Sequence, residues 1–308
     1  MIYISVGIVT AFLTFLIRKA AIKKAILDIP NHRSSHQTPV PRGGGLAIVM
    51  AFYAGLLTLC FWHSVEKPLC FALLSALPVA VVGMLDDIIN ISASKRFLVQ
   101  VCSAALALYF LEVSWQVATF ALLLIVWFTN LFNFLDGIDG YVSTEAIFIG
   151  VTGYIVTGDV VAALLAAAVA GFLPFNWQKA SIFMGDVGST FIGFVVGVLF
   201  VWHARTFHEA LLWLLLTAPF WFDATYTLLR RLLNGEKITE AHRKHLFQRA
   251  VIGGLSHRAV TLLLLAVDLL IFTAVLFYGN HLIPIFAVVL LLLFVIAYRI
   301  EQKVPFNA

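Results

Sequence analysis

Charge is what this chain of 308 residues has least of: only 12% are Asp, Glu, Lys or Arg, against about 25% in an ordinary soluble protein. With 62% apolar residues and a mean hydropathy of +0.99, too few polar side chains remain to cover a water-soluble globule of this size. A cytosolic enzyme, a disordered tail and a secreted disulfide scaffold are thereby excluded. Cysteine is scarce as well. Cys60, Cys70 and Cys102 are odd in number, lie in or beside apolar runs and lack CxxC spacing, so they read as buried small hydrophobes, supporting neither zinc nor a disulfide framework. No internal repeat and no low-complexity stretch is present. A pI near 9.0 in so apolar a chain fits the cytoplasmic loops of a membrane protein better than a nucleic-acid partner.

What is present is a succession of long apolar runs. A spanning helix needs about 20 mostly apolar residues, and on that rule candidate spans fall at 2–17, 45–62, 69–85, 98–113, 115–132, 141–157, 160–175, 190–204, 210–227, 259–278 and 283–298. The sixth and seventh are weakly separated, by Thr157-Gly158-Asp159. Continuous runs lack the alternation of barrel strands, and a membrane core leaves helices as the other solution. The expected fold is all-α, a polytopic helical bundle of about eleven transmembrane helices in a single integral membrane domain over residues 1–308. With the N-terminus outside, eighteen of the twenty Lys and Arg residues fall in inner loops, leaving only Lys67 and Arg205 outside. That split obeys the positive-inside rule and puts the C-terminus in the cytoplasm. The positive cluster follows the first run, the reverse of a signal peptide, so that run counts as a span. Outer loops are only a few residues each, which places any chemistry at the cytoplasmic face.

Five segments hold most of the polar residues, all at inner helix ends. The first runs from Asp28 through Pro39 and Pro41 to Arg42-Gly43-Gly44-Gly45; it fits either a basic loop with a helix-start signal or a site for an anionic group. The second, Asp86-Asp87 to Lys95-Arg96 and on to Gln100, opens with adjacent carboxylates. Their repulsion must be offset by a metal ion, a held proton or water. The third places Asn130, Asn133, Asp136 and Asp139 within eleven residues flanked by apolar ones, where unpartnered polar groups are expensive. In the fourth, Asn176 to Ser189, Asp186 stands between Gly185 and Gly188 just before the eighth apolar run. It is a helix cap or part of an anion or metal site. The fifth joins Asp223, Arg230 and Arg231 to His242-Arg243-Lys244-His245 and Gln248-Arg249, the composition of a phosphate clamp or of a basic membrane-surface loop.

Carboxylates and amides, cations and glycine turns thus converge on one face of a membrane. A hard cation such as Mg²⁺ takes oxygen ligands and bridges one or two carboxylates to substrate phosphates, whereas the histidines lie among cations that oppose zinc. The combination points to Mg²⁺-assisted phosphoryl chemistry on a membrane-embedded acceptor.

In these segments the chain resembles the polyprenyl-phosphate N-acetylhexosamine-1-phosphate transferase superfamily. The matching pieces are DIPNHRSSHQTPVPRGGG (28–45), DDIINISASKRFLVQ (86–100), NLFNFLDGIDG (130–140), SIFMGDVGS (181–189) and PFWFDATYTLLRRLLNGEKITEAHRKHLFQR (219–249). The resemblance implies transfer of a sugar-1-phosphate from a UDP-N-acetylamino sugar to undecaprenyl phosphate in the bacterial inner membrane, releasing UMP and initiating a lipid-linked surface polysaccharide such as O-antigen. It implies Mg²⁺, with Mn²⁺ as a substitute, held by Asp186 and Asn133. It assigns Asp86 and Asp87 to the lipid phosphate and Asp136 and Asp139 to the nucleotide and catalysis. Substrate binding then falls to Asn130, Lys95, Arg96, Asn176, His242, Arg243 and His245. A phosphate monoester with a second pKa of about 6 is already mostly deprotonated at neutral pH, which favours positioning over obligatory proton abstraction. The spelling HRKHLFQR, with Gln248, departs from the three consecutive histidines of the muramoyl-pentapeptide enzymes and argues against a peptide-bearing donor. Choice between an N-acetylfucosamine-type sugar and N-acetylglucosamine turns on one hydroxyl. Alternatives are the same reaction with UDP-N-acetylglucosamine for another cell-wall polymer, a homodimeric assembly, and, in a different class, a transporter. A transporter would carry acids near mid-bilayer, where only Asp268 is expected.

Overall fold

A computed structural model describes residues 1–30, 38–237 and 242–307; His32, Arg33 and His36 of the first polar segment lie outside the described residues. All eleven apolar segments fold as helices. In chain order the helices are α1 (Ile2–Lys23), α2 (Gly45–Phe61), α3 (Lys67–Leu74), α4 (Leu77–Ile89), α5 (Ala93–Phe110), α6 (Trp115–Leu135), α7 (Tyr141–Thr157), α8 (Val160–Asn176), α9 (Asp186–His203), α10 (Phe207–Leu216), α11 (Ala218–Leu233), the short α12 (Leu246–Ile252), α13 (His257–Tyr278) and α14 (Leu282–Lys303). Two two-residue strands, β1 (Leu27–Asp28) and β2 (Val40–Pro41), pair antiparallel with Leu27 opposite Pro41.

Two expected spans are broken. The third is α3 followed by α4, and the ninth bends by 82° between α10 and α11; each break stands just before a proline, Pro78 or Pro219, whose ring is tolerated in a first helical turn. The sixth and seventh runs are separate helices: Gly158 ends α7 in the left-handed region (φ +73°), and the Asp159 carboxylate accepts the Val161 N–H at 2.7 Å to start α8. Among the described residues five helical runs are long and apolar enough to cross a membrane, six if the bent pair is one span, while α2, α7 and α8 are shorter apolar helices. The chain is a multi-pass helical membrane protein.

At the centre stands α9, buried continuously from Val187 to Phe200 and packed on α6, α4 and α2. Close approach to α6 needs Gly193, where a Cβ would lie 2.9 Å from the Thr129 Cα. Around this core, large apolar side chains such as Phe12, Phe120, Leu263, Phe277 and Leu291 stay exposed, as expected of a bundle solvated by lipid. Because the helices alternate in direction, the ends of α4, α6, α8, α11 and α14 and the starts of α5, α7, α9 and α13 meet at one end of the bundle. That end collects the polar segments.

The cysteine expectation is corrected. Cys60 and Cys70 form a disulfide across the α2–α3 turn, with Cα atoms 6.7 Å apart, and Cys102 is the free, exposed one. Nothing in a spacing of ten residues announces that pairing; the turn at 62–66 brings the two helix ends together. The bond lies at the end opposite the polar segments.

Candidate active site

The site is organised by the start of α9. Gly185 adopts φ +76°, and a Cβ there would fall 2.5 Å from Asp87 Oδ2, so the turn needs glycine on both counts. Asp87, in the last turn of α4 and 5% exposed, accepts the backbone N–H of Asp186 on Oδ1 at 3.1 Å and that of Val187 on Oδ2 at 3.3 Å. The cap of α9 therefore comes from another helix, and Asp186 is its first residue and not its cap. That leaves the Asp186 carboxylate available to other partners. It meets Arg96, whose Nη1 also donates to Asp86 Oδ2 at 2.6 Å. Asp86 Oδ1 in turn accepts the Ile91 N–H. One guanidinium thus bridges two carboxylates beside a third.

The amide pair of α6 faces this corner differently. Asn133 donates to Ser189 Oγ at 3.2 Å and lies close enough to act on the Asp186 carboxyl. Asn130 donates to Gln100 Oε1 at 2.7 Å and to the Val126 carbonyl at 2.8 Å. Asp136 follows the last residue of α6, and its carboxyl is pushed up to about 8, first by burial and then by the charges of Asp186, Asp87 and Asp139. Asp139 lies beyond the turn, where His257 Nδ1 stands 3.3 Å from both its backbone nitrogen and its Oδ2, and Ala180 N–H donates to that same oxygen at 3.3 Å. Asn176 is turned inward, with Oδ1 accepting Gly140 N–H and Ser143 Oγ–H and Nδ2 donating to the Ile182 carbonyl.

The basic segment is held by a second interhelical cap. Asp223 of α11 accepts the Leu246 N–H on Oδ1 at 2.8 Å and the Phe247 N–H on Oδ2 at 3.1 Å, fixing α12. His245 Nδ1 lies 3.3 Å from Asp223 Oδ1, and the His242 and His245 rings are 4.8 Å apart. Burial, then His245 and Arg231, hold the His242 imidazole down at about 3, so it stays neutral at physiological pH. In the same loop Lys244 donates to Glu236 Oε1 at 2.7 Å. An aromatic stack joins the two regions: Tyr141 packs on Phe220 at 5.2 Å and on Phe247 at 4.9 Å.

Sequence-predicted residues are therefore partly gathered. Asp86, Asp87, Arg96, Asn133 and Asp186 form one corner, with Asp136 within reach of its charge, while His245 lies with Asp223 at the other and His242 packs on His245, with Arg243 between them in the chain. Lys95 is exposed in the first turn of α5. Four further residues take part. Gln100 holds Asn130, and Ser189 meets Asn133; both lie in the polar segments, where nothing local names their partners. His257, which meets Asp139, lies outside those segments. Arg42 acts on the charge of Asp87, and among the described residues its buried Nε has no hydrogen-bond partner.

Among the described residues no group of three or more His, Cys, Asp or Glu forms a metal cage. Mg²⁺ does not require one, since it keeps waters and takes one or two carboxylates plus substrate phosphates. The Asp86–Asp186 pair with Asn133 offers oxygen donors and already holds a cationic group between its carboxylates, and it fits that ion.

Residues 69–204 match glycosyl transferase family 4. The chain is 30% identical to a probable undecaprenyl-phosphate N-acetylglucosaminyl 1-phosphate transferase of Bacillus subtilis, over 86% of this chain and 82% of the relative. It is 29% identical to the undecaprenyl-phosphate alpha-N-acetylglucosaminyl 1-phosphate transferase of Escherichia coli K12, over 96% and 88%. A decaprenyl-phosphate N-acetylglucosaminephosphotransferase of Mycolicibacterium smegmatis is 30% identical over 88% and 80%.

Proposed function

The chain belongs to the polyprenyl-phosphate N-acetylhexosamine-1-phosphate transferase superfamily, and on that premise we propose transfer of N-acetylhexosamine-1-phosphate from a UDP-sugar to undecaprenyl phosphate, at the cytoplasmic face of a bacterial inner membrane. The observation that carries this is the Asp86–Arg96–Asp186 bridge beside Asn133 at the start of α9. The relatives' names favour UDP-N-acetylglucosamine as donor, and the product would initiate a lipid-linked surface polysaccharide.

An oxygen of the acceptor phosphate attacks the β-phosphorus of the donor; the bond from that phosphorus to the bridging oxygen breaks, and the oxygen leaves with UMP. Asp87 accepts a backbone N–H on each oxygen, which supports a positioning role at the α9 turn. The acceptor needs no base, being largely deprotonated at neutral pH. Arg96 and the basic segment around His245 offset the phosphate charge, and Asp136 and Asp139 line the turn between the two regions. Mg²⁺, held by Asp186 and Asn133 with Asp86 alongside, would supply neutralisation of charge on the transferring phosphoryl group.

Eleven spans with the N-terminus outside account for the distribution of Lys and Arg. The same orientation puts the Cys60–Cys70 disulfide on the outer, oxidising side. The test is UMP release by the purified protein with undecaprenyl phosphate and a panel of UDP-sugars, with Mg²⁺ or with EDTA. Lipid-dependent and Mg²⁺-dependent UMP is expected, fastest with UDP-N-acetylglucosamine; no release from any donor by folded protein overturns the proposal.

A further inference from the structure

Away from the polar end, two acids meet inside the bundle. Glu145, in the second turn of α7, is fully buried, and Asp268, halfway along α13, is 1% exposed. Their carboxyl groups lie close enough to act on each other, and among the described residues none of the four oxygens has a hydrogen-bond partner. Each is the only charged group acting on the other among the described residues, and Tyr141 on α7 is the remaining titratable neighbour. A hydrogen bond between two carboxyl groups requires a proton on one of them, because an ionised carboxylate only accepts. In a bundle surrounded by lipid, with no cationic side chain among the described residues acting on either acid, a shared proton would satisfy the otherwise unpartnered pair.

The helices so joined are those that hold Asp139. α7 begins at Tyr141, two residues after Asp139, and α13 begins at His257, which contacts Asp139 at 3.3 Å. Thr261 of α13 donates to the Asp139 carbonyl at 3.3 Å. Asp268 follows Thr261 by two helical turns and so shares its face. α13 thus meets α7 and the turn that precedes it at two levels, once at the site corner and once at the buried pair.

We propose that a proton held between Glu145 and Asp268 locks α13 to α7 and keeps the Asp139–His257 corner in register, so that both acids are positioning residues. The kinetic arm of the test rests on the transferase function proposed above; the structural arm does not.

The test compares full-length Glu145→Gln, Glu145→Leu, Glu145→Leu/Asp268→Leu, His257→Ala and Glu145→Leu/His257→Ala in lipid nanodiscs, reading thermal midpoint, amide hydrogen exchange over residues 136–141, kcat and KM. Glutamine keeps a donor and an acceptor, so Glu145→Gln should match the parent. Glu145→Leu leaves Asp268 unpartnered, and should speed exchange at 136–141 and lower kcat by roughly tenfold with KM little changed. The double leucine variant, with both partners replaced by apolar groups, should recover the midpoint. Adding His257→Ala to Glu145→Leu should bring little further loss, since both act on one corner. Overturning results are Glu145→Gln behaving like Glu145→Leu, which would require a charge there, or a lowered midpoint with unchanged exchange at 136–141, which would make the pair structural only. If exchange responds as expected while the parent protein turns over no donor, the lock stands and the transferase function falls.

Discussion

Two corners of the molecule use the same device to opposite ends. Asp87 reaches from α4 to cap α9, and Asp223 reaches from α11 to cap α12; each gives one oxygen to each of two consecutive backbone N–H groups. Beside Asp87 stand carboxylates, Asp86 and Asp186, with Arg96 between them. Beside Asp223 stand bases, in the run from His242 to His245. At α9 capping by a distant residue releases Asp186 from that duty, whereas α12 keeps local capping between His245 and Gln248 as well, and sequence decides the sign of what each turn presents. The first corner therefore calls for a cation and the second for an anion. A metal-bound phosphate ester satisfies both at once.

The largest break in this comparison is Asp186→Ala, which removes the carboxylate without touching the cap. Turnover should fall by about 10²–10³-fold, with the thermal midpoint held near that of the parent; an active Asp186→Ala protein would sink the cation role of this corner. Next come the caps themselves. Asp87→Ala and Asp223→Ala should each cost about 2 kcal/mol of stability, measured by thermal unfolding, yet only Asp87→Ala should raise the Mg²⁺ concentration for half-maximal rate. Asp223→Ala should raise KM for the UDP-sugar instead, and equal Mg²⁺ shifts in both would erase the distinction. Smaller again is Arg96→Gln. Removing the cation that shares Asp86 and Asp186 should lower the Mg²⁺ requirement while cutting kcat by about tenfold, and a raised requirement would show that Arg96 organises the metal site.

How much of this is legible in the sequence divides by range. Apolar runs mark all eleven helical segments, because the membrane demands continuous hydrophobic length and each run carries that signal locally. The α10–α11 bend leaves only Pro219 as its trace, since a proline in a first turn is also compatible with an unbroken span. The polar segments are legible too, because charge amid so little charge stands out. Their partners are not: Asp87 and Asp186 lie 99 residues apart, and no local pattern says which carboxylate will cap and which will stay available. Asp268 shows as an acid in the middle of an apolar run, whereas Glu145, close to the start of its run, gives no sign that it lies buried against it. The Cys60–Cys70 pairing is hidden for a related reason, since it depends on a turn and not on spacing.

The smallest effect belongs to Glu236, at the edge of the basic corner. Its carboxylate accepts from Lys244 Nζ at 2.7 Å and from Arg231 Nε at 3.0 Å, and the Lys244 bond first, with that of Arg231 behind it, holds its carboxyl below the usual range. A carboxyl lowered on folding adds stability above its unfolded pKa, about 4.3, and loses that contribution as pH falls through the lower folded value. Glu236→Gln should therefore be less stable than the parent at neutral pH by less than about 1 kcal/mol, because the group is partly exposed. The gap should close on acidification below the carboxylate range. Thermal unfolding of both proteins between neutral and acid pH reads this directly. A gap that persists in acid would mean that Glu236 acts by packing, and that cations in this corner do not need it to hold them.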